Sequence, residues 1–276
     1  MAHLVQVGAG SGGMPVLDMV AHDPRITRIT LIEPDIYQPH NVVRHLFPRQ
    51  AVGEYKAVLA QKWLQERRCD LQVRSLVRDL LDPAIQDELH RVLMETDIAV
   101  CAADNEPAKF HWDHLMRRHR IPWTLGEVLS GGIGGFVHWF VPDGPCYGCV
   151  AGFLQRTVEV EKAKAPDYSQ PGGPEAATTV PATKASIQAV ASLHALVTLR
   201  LLQEGSAYQP GFTSLLLTLE RVPDVFEEAF RTYRFRVPRA DDCLICRPGL
   251  TRVPADSSPE ELDVALDQAL ARLGNE

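Results

Sequence analysis

Leu4-Val5-Gln6-Val7-Gly8-Ala9-Gly10-Ser11-Gly12-Gly13-Met14 is the stretch that decides the fold. Leu4–Val7 reads as a buried strand, Gly8–Gly13 as a tight turn, and Met14–Ala21 as a helix with Val16, Leu17 and Val20 on one face. Pro15 is tolerated there because the first helical turn has N–H groups without partners in any case. A strand, a glycine turn and a helix are the context in which G-x-G-x-x-G carries meaning. The glycines allow positive φ and close backbone approach, and the helix start offers free N–H groups to a phosphate. Gly8, Gly10, Gly12 and Gly13 are therefore candidate nucleotide contacts.

The same rhythm continues through the front half. Arg28–Ile32 reads as a second strand, Glu54–Arg67 as a helix, Leu71–Leu76 as a third strand and Pro83–Met94 as a helix. Ile98–Ala102 is a continuous apolar run, as expected of a central parallel strand covered on both faces. Pro107–Arg120 is helical in pattern. Alternating strands and helices predict a doubly wound parallel α/β sheet. From Trp123 the pattern changes. Trp123–Val128, Gly135–Val141, Leu215–Leu219 and Tyr233–Val237 read as further strands, and Lys184–Leu202 as a long apolar helix. Residues 165–183 form a Pro/Gly/Ala/Thr-rich loop, and the tail from Ser258 has a helical pattern. The expected organisation is a nucleotide-binding half over residues 1–130, a second half over 131–250, and a helical tail over 251–276.

The chain has 276 residues, 45% hydrophobic and 23% charged, within the range of soluble globular proteins. Its net charge of −7 argues against a nucleic-acid surface. No run of eighteen apolar residues suggests a membrane span, and the N-terminal sequence does not read as a signal peptide. Four of the six cysteines form two Cys-x-x-Cys knuckles, Cys146/Cys149 and Cys243/Cys246. Two such pairs converge naturally on one tetrahedral zinc, whereas a single pair would leave a redox dithiol equally open. The four thiols are read as a structural zinc site in a reducing compartment, with the cytoplasm as the expected location.

Glu33 closes the second strand twenty positions after Gly13, where an acid can hold a ribose hydroxyl. On these features alone an NAD-dependent oxidoreductase and an ATP enzyme are equally good readings. The run that follows separates them. Asp35, Asn41 and Arg44 lie just beyond the strand, and Lys56 follows at a helix start. A guanidinium, an ammonium and an amide are suited to a triphosphate. Asp104 and Asn105 lie past the fourth strand, at the sheet edge where a carboxylate can hold Mg²⁺.

The chain resembles the ThiF/MoeB/HesA group of ubiquitin-activating-type (E1-like) adenylating enzymes. The resemblance runs from Val5 to about Pro248 and rests on the glycine loop, Glu33, Asp35, Asn41, Arg44, Lys56, Asp104-Asn105 and both knuckles in order. It implies a Rossmann-like sheet continued by antiparallel strands, a homodimer, and MgATP-dependent adenylation of the C-terminal glycine carboxylate of a ubiquitin-like or sulfur-carrier-like protein. By resemblance Glu33 matches the ribose-binding acid, Asn41, Arg44 and Lys56 the phosphate-handling residues, and Asp104 the magnesium ligand. Lys109 falls where the family often has Arg, and His45 where Gln is common. Residues 165–183 correspond to the crossover segment that carries a thioester cysteine in conjugating members, and no cysteine is present there. The N-terminal arginine common in the family has no counterpart ahead of the first strand. The missing cysteine implies that the acyl group leaves to another protein's nucleophile, a thiol or an amine, with a downstream thiol enzyme among the candidate partners. The two departures together leave a degenerate scaffold that binds the ubiquitin-like protein as a further reading.

Overall fold

The structure is a computed structural model that describes residues 1–154 and 182–246. The crossover segment, apart from Ala182 and Thr183, and the tail 251–276 lie outside the described residues. One eight-stranded sheet runs through them. Its strands are β1 (Ala2–Val7), β2 (Ile26–Ile32), β3 (Gln72–Leu76), β4 (Ile98–Cys101), β5 (Trp123–Val128), β6 (Gly134–Phe140), β7 (Ser214–Thr218) and β8 (Thr232–Phe235). The spatial order is β3-β2-β1-β4-β5-β6-β7-β8. The first five are parallel, and β6, β7 and β8 each run antiparallel to the strand before. The helices are α1 (Gly13–Ala21), α2 (Lys56–Arg67), α3 (Gln86–Leu93), α4 (Glu106–His119), α5 (Tyr147–Phe153) and α6 (Lys184–Glu204).

Side chains alternate across a strand, so a sheet covered on both faces needs apolar residues at every position. Leu4 of β1, Leu31 of β2 and Val100 of β4 enter one core with α1, α2 and α6. Val5, Val7, Ile32, Ala99 and Cys101 enter the other, with α3, α4 and α5. Gln6 is the polar residue inside the apolar run Leu4–Val7 of β1 and is fully buried, while His3 is a second buried polar residue near the start of the strand. The chain builds β1, β2 and β3 to one side, then returns to place β4 against β1. Ligand clefts form outside the carboxyl ends of strands at such a reversal. The glycine turn and Asp104 both lie there.

Several boundaries differ from the sequence pattern for local reasons. α2 starts at Lys56 rather than Glu54, because Tyr55 pairs with Ile36 in an isolated bridge and the Glu54 carbonyl accepts from the Tyr37 N–H. The helix expected from Pro83 opens as a 3-10 turn, Pro83–Ile85, capped by Asp82. β8 ends at Phe235 because the Val237 N–H turns to the Thr213 hydroxyl. Among the described residues α6 alone has the length and hydropathy of a membrane span. It serves as a core helix, burying Ile187, Val190, Ala191, Ala195, Val197 and Leu201 with α1 and the sheet.

The run Ser130-Gly131-Gly132-Ile133-Gly134-Gly135 joins β5 to β6, and its glycines suit a close approach by another segment. The segment that approaches is α6. A Cβ on Gly132 would lie 2.8 Å from the Ser186 hydroxyl, and one on Gly135 would lie 2.6 Å from Val190.

Candidate active site

The glycine turn is held by its neighbours. Gly8 has φ +91°, and a Cβ there would lie 2.5 Å from the Ala102 carbonyl; a Cβ on Gly13 would lie 2.4 Å from the Gly8 carbonyl. These two glycines let β1, α1 and the end of β4 pack together. Gly10 has no protein atom within 4 Å of that position. The fold alone does not require a glycine there, whereas a ligand lying on the backbone does.

Glu33, 5% exposed, accepts from the Ala9 N–H (2.6 Å) through Oε2 and from the Asp35 N–H (2.9 Å) through Oε1. Burial raises its pKa, and Lys56 partly opposes this. His45 Nε2 donates to the Ala9 carbonyl at 2.8 Å. A carbonyl only accepts, so the proton is on Nε2 and Nδ1 is left to face the Phe47 N–H at 3.4 Å. Burial pushes His45 down to about 4, so this imidazole is neutral. Lys184 Nζ donates to the His45 carbonyl (2.9 Å), which ties α6 to the same segment. Sequence reasoning missed Lys184, because nothing local to α6 announces a partner 139 residues away.

The α1 N-terminus is open. It has no side-chain cap and no acid in its first turn. Among the described residues the N–H groups of Gly10, Ser11, Gly12 and Gly13 have no hydrogen-bond partner. Uncommitted N–H groups at a helix start bind anions.

The remaining expected contacts divide into free and committed groups. Arg44 is half-buried, and among the described residues its guanidinium makes no hydrogen bond or ion pair. Asp104 is exposed and likewise uncommitted. Lys56 is buried and paired with Asp35 at 2.7 Å, and Asp35 itself is 63% exposed. Asn41 Oδ1 accepts from the Gln38 N–H, so the amide closes a 3-10 turn. Asn105 Oδ1 accepts from the Ala108 N–H at 2.9 Å and caps α4. Lys109 is buried between Glu106 and Glu127, each at 2.7 Å. Burial opposes its charge, yet Glu127, Tyr147 and Glu106 together raise its pKa.

The sulfurs of Cys146, Cys149, Cys243 and Cys246 all lie within 4.8 Å of one another. The close pairs are Cys146–Cys149 at 3.7 Å, Cys146–Cys243 at 3.5 Å and Cys149–Cys246 at 3.4 Å. A tetrahedron of thiolates at ~2.3 Å from zinc has edges of about 3.8 Å, so the cluster fits that ion. The Ala240 N–H donates to Cys149 Sγ, as expected around a charged thiolate. The knuckles lie beyond β6 and β8, so the cluster joins the two ends of the antiparallel wing. Tyr147 inside the first knuckle reaches α4 twice, its N–H to Asp113 and its hydroxyl to Glu106.

Uncommitted N–H groups at the switch point of a Rossmann-type sheet and a four-cysteine cluster past its antiparallel strands place the chain among α/β proteins of the nucleotide-binding type. The sequence matches the ThiF family over residues 1–234, and the chain belongs to that family of E1-like adenylating enzymes. It is similar to the SAMP-activating enzyme E1 of Haloferax volcanii, 26% identical over 258 residues, covering 90% of this chain and 81% of that protein. Among solved structures it is similar to MccB of E. coli, with TM-score 0.66, 18% identity, and coverage of 93% of this chain and 68% of that one. It is also similar to E. coli MccB with ATP, with TM-score 0.63, 17% identity, and coverage of 89% of this chain and 66% of that one. At these identities the structural likeness establishes the shared fold. Membership of the family favours the adenylating reading over hydride transfer.

Proposed function

We propose that this chain uses MgATP to adenylate the C-terminal glycine carboxylate of a ubiquitin-like or sulfur-carrier-like protein. The observation that carries the proposal is the open N–H nest at Gly10–Gly13, with Arg44 uncommitted on the segment that His45 anchors to the loop. The nest and Arg44 receive phosphate oxygens. Glu33 keeps lone pairs for a ribose hydroxyl beside its two backbone bonds. Lys56 spends one of three donors on Asp35 and has two left for phosphate. Asp104, free at the carboxyl end of β4, is the residue that fits Mg²⁺. When bound, that ion neutralises phosphate charge and favours departure of pyrophosphate.

The carboxylate oxygen attacks the α-phosphorus, the bond to the bridging oxygen breaks, and pyrophosphate leaves with that electron pair. No proton moves, so no general base is needed, and rate comes from positioning and charge stabilisation. The product is an acyl-adenylate anhydride. Its acyl group passes to another protein's nucleophile. Supporting this, Cys101 is fully buried with its thiol pushed up to about 12 by desolvation, Cys69 precedes the amino end of β3, opposite the carboxyl rim, and the other four thiols are clustered. A homodimer, a downstream thiol enzyme and a cytoplasmic setting belong to the same proposal.

Pyrophosphate exchange into ATP tests it directly, using a ubiquitin-fold carrier ending in Gly and the same carrier lacking that Gly. Exchange with the first alone supports the proposal. Carrier binding without exchange would leave only the scaffold reading, and stabilisation by NADH but not MgATP would restore the oxidoreductase.

A further inference from the structure

We infer that Gln6 is a positioning residue for the nucleotide loop, with its carboxamide holding the loop N–H groups open for phosphate. This rests on the nucleotide reading above. Gln6 lies in β1 on the face shared with Leu4, with no solvent exposure. Its Nε2 donates to the Gly8 carbonyl and to the Gly13 carbonyl, both at 2.8 Å. Both partners are carbonyls, which only accept, so this edge of the amide is the nitrogen. Oε1 has no hydrogen-bond partner. A buried polar side chain with an unsatisfied acceptor is costly in a sheet core. Its two donors explain why it is there.

Peptide geometry links those donors to the nest. In a trans peptide plane the C=O and N–H point in opposite directions. Fixing Gly8 C=O therefore fixes Ala9 N–H, which meets Glu33 on the other side. His45 fixes Ala9 C=O and thereby directs the Gly10 N–H away from itself. Gln6 on Gly13 C=O fixes the Met14 N–H, which bonds back to Gly10 C=O at 2.9 Å. One amide thus pins both ends of Gly8–Gly13, while the N–H groups from Gly10 to Gly13 stay uncommitted. Without it the two carbonyls beneath the loop lose a donor, and their peptide planes are held from one side only, by Glu33 on the Ala9 N–H and by the Met14 N–H bond to the Gly10 carbonyl, so the nest is held open less firmly.

The test uses the full chain and the variants Gln6→Leu and Gln6→Glu. Calorimetry should show MgATP binding weakened by roughly tenfold in Gln6→Leu, the scale of two lost neutral hydrogen bonds. The turnover number at saturating ATP should stay near wild type. Without nucleotide, amide exchange should quicken at Gly10–Met14 and not in β4. Gln6→Glu should bind poorly as the carboxylate and recover as the pH falls, because a protonated acid regains one donor; wild type should not share that profile. Wild-type affinity in both variants would overturn the inference, as would faster exchange spread equally through β4. If wild type itself bound no MgATP, the nucleotide reading would fail, and the exchange pattern would still decide whether Gln6 holds the loop.

Discussion

Two helices begin on the same rim of the sheet, and they begin differently. The first turn of α4 is closed by its own residues: Asn105 caps it, Glu106 supplies the acid, and Arg117, Arg118 and His119 complement the other end. α1 has none of these devices. A stable helix normally satisfies its terminal N–H groups internally. The closed end serves the fold, and the open end leaves its N–H groups uncommitted, as the proposed nucleotide site requires. The charges follow the same division. Lys109 under α4 is held by two carboxylates, while Arg44 near α1 has no such partner among the described residues.

The largest expected effect lies under the closed end. Lys109→Met leaves Glu106 and Glu127 without their cation and should destabilise the fold by ~3–5 kcal/mol. Denaturant titration measures it. MgATP affinity of the folded fraction should stay close to wild type. A collapse of affinity at unchanged stability would instead make Lys109 a phosphate clamp and erase the contrast.

Acid should act on the support of the open end. The unfolded His45 titrates at about 6.5, whereas burial holds the folded side chain at about 4. Between those values the unfolded chain binds more protons, so stability rises with pH. The contribution is fully present above the unfolded value and is lost as pH falls towards the folded one. Between about pH 7 and about pH 5 the share from His45 is roughly 2 kcal/mol. His194, buried against Thr124 and pushed down to about 3, adds a loss of the same sign. His45→Gln keeps a donor for the Ala9 carbonyl and removes the titration, so its acid loss should be smaller by that share. An unchanged pH profile would mean that His45 is not held neutral.

Giving α1 the acid it lacks should separate stability from binding. Nothing but Ile187 comes within 4 Å of a Cβ on Gly12. Gly12→Asp therefore places a carboxylate where phosphate is expected. Interaction with the helix dipole should favour the fold by about 0.3–1 kcal/mol. MgATP affinity should fall about a hundredfold, as for loss of a preorganised electrostatic site. Equal affinity in the variant would show that the open end is not the phosphate site.

The open end was the easier of the two to read from sequence. Its signals are local: four glycines, a preceding strand, a following helix, and an acid at the end of the next strand. The thiolate cluster was legible for the same reason, since each pair announces itself by spacing. The Lys109–Glu127–His138 arrangement was not, because it depends on β5 pairing with β6 in a register that places Glu127 and His138 3.3 Å apart. Gln6 could have been found. A glutamine inside the apolar run Leu4–Val7 is anomalous, and only its burial shows that the anomaly faces the loop.

Asn105 gives the smallest effect and the finest discrimination. The sequence placed it with Asp104 as a nucleotide contact, yet its side-chain oxygen is spent on the Ala108 N–H. A cap of this kind contributes ~1 kcal/mol. If capping is its whole role, Asn105→Ala should lower stability by that amount and leave MgATP affinity unchanged, while Asn105→Asp should preserve both cap and stability. If Asn105 also reaches nucleotide, the alanine variant should lose affinity beyond its loss of stability, and the aspartate should lose it too by placing a second charge beside Asp104. Measuring both variants by denaturation and by nucleotide titration separates the roles, because an oxygen cap tolerates a carboxylate and an amide contact to phosphate does not.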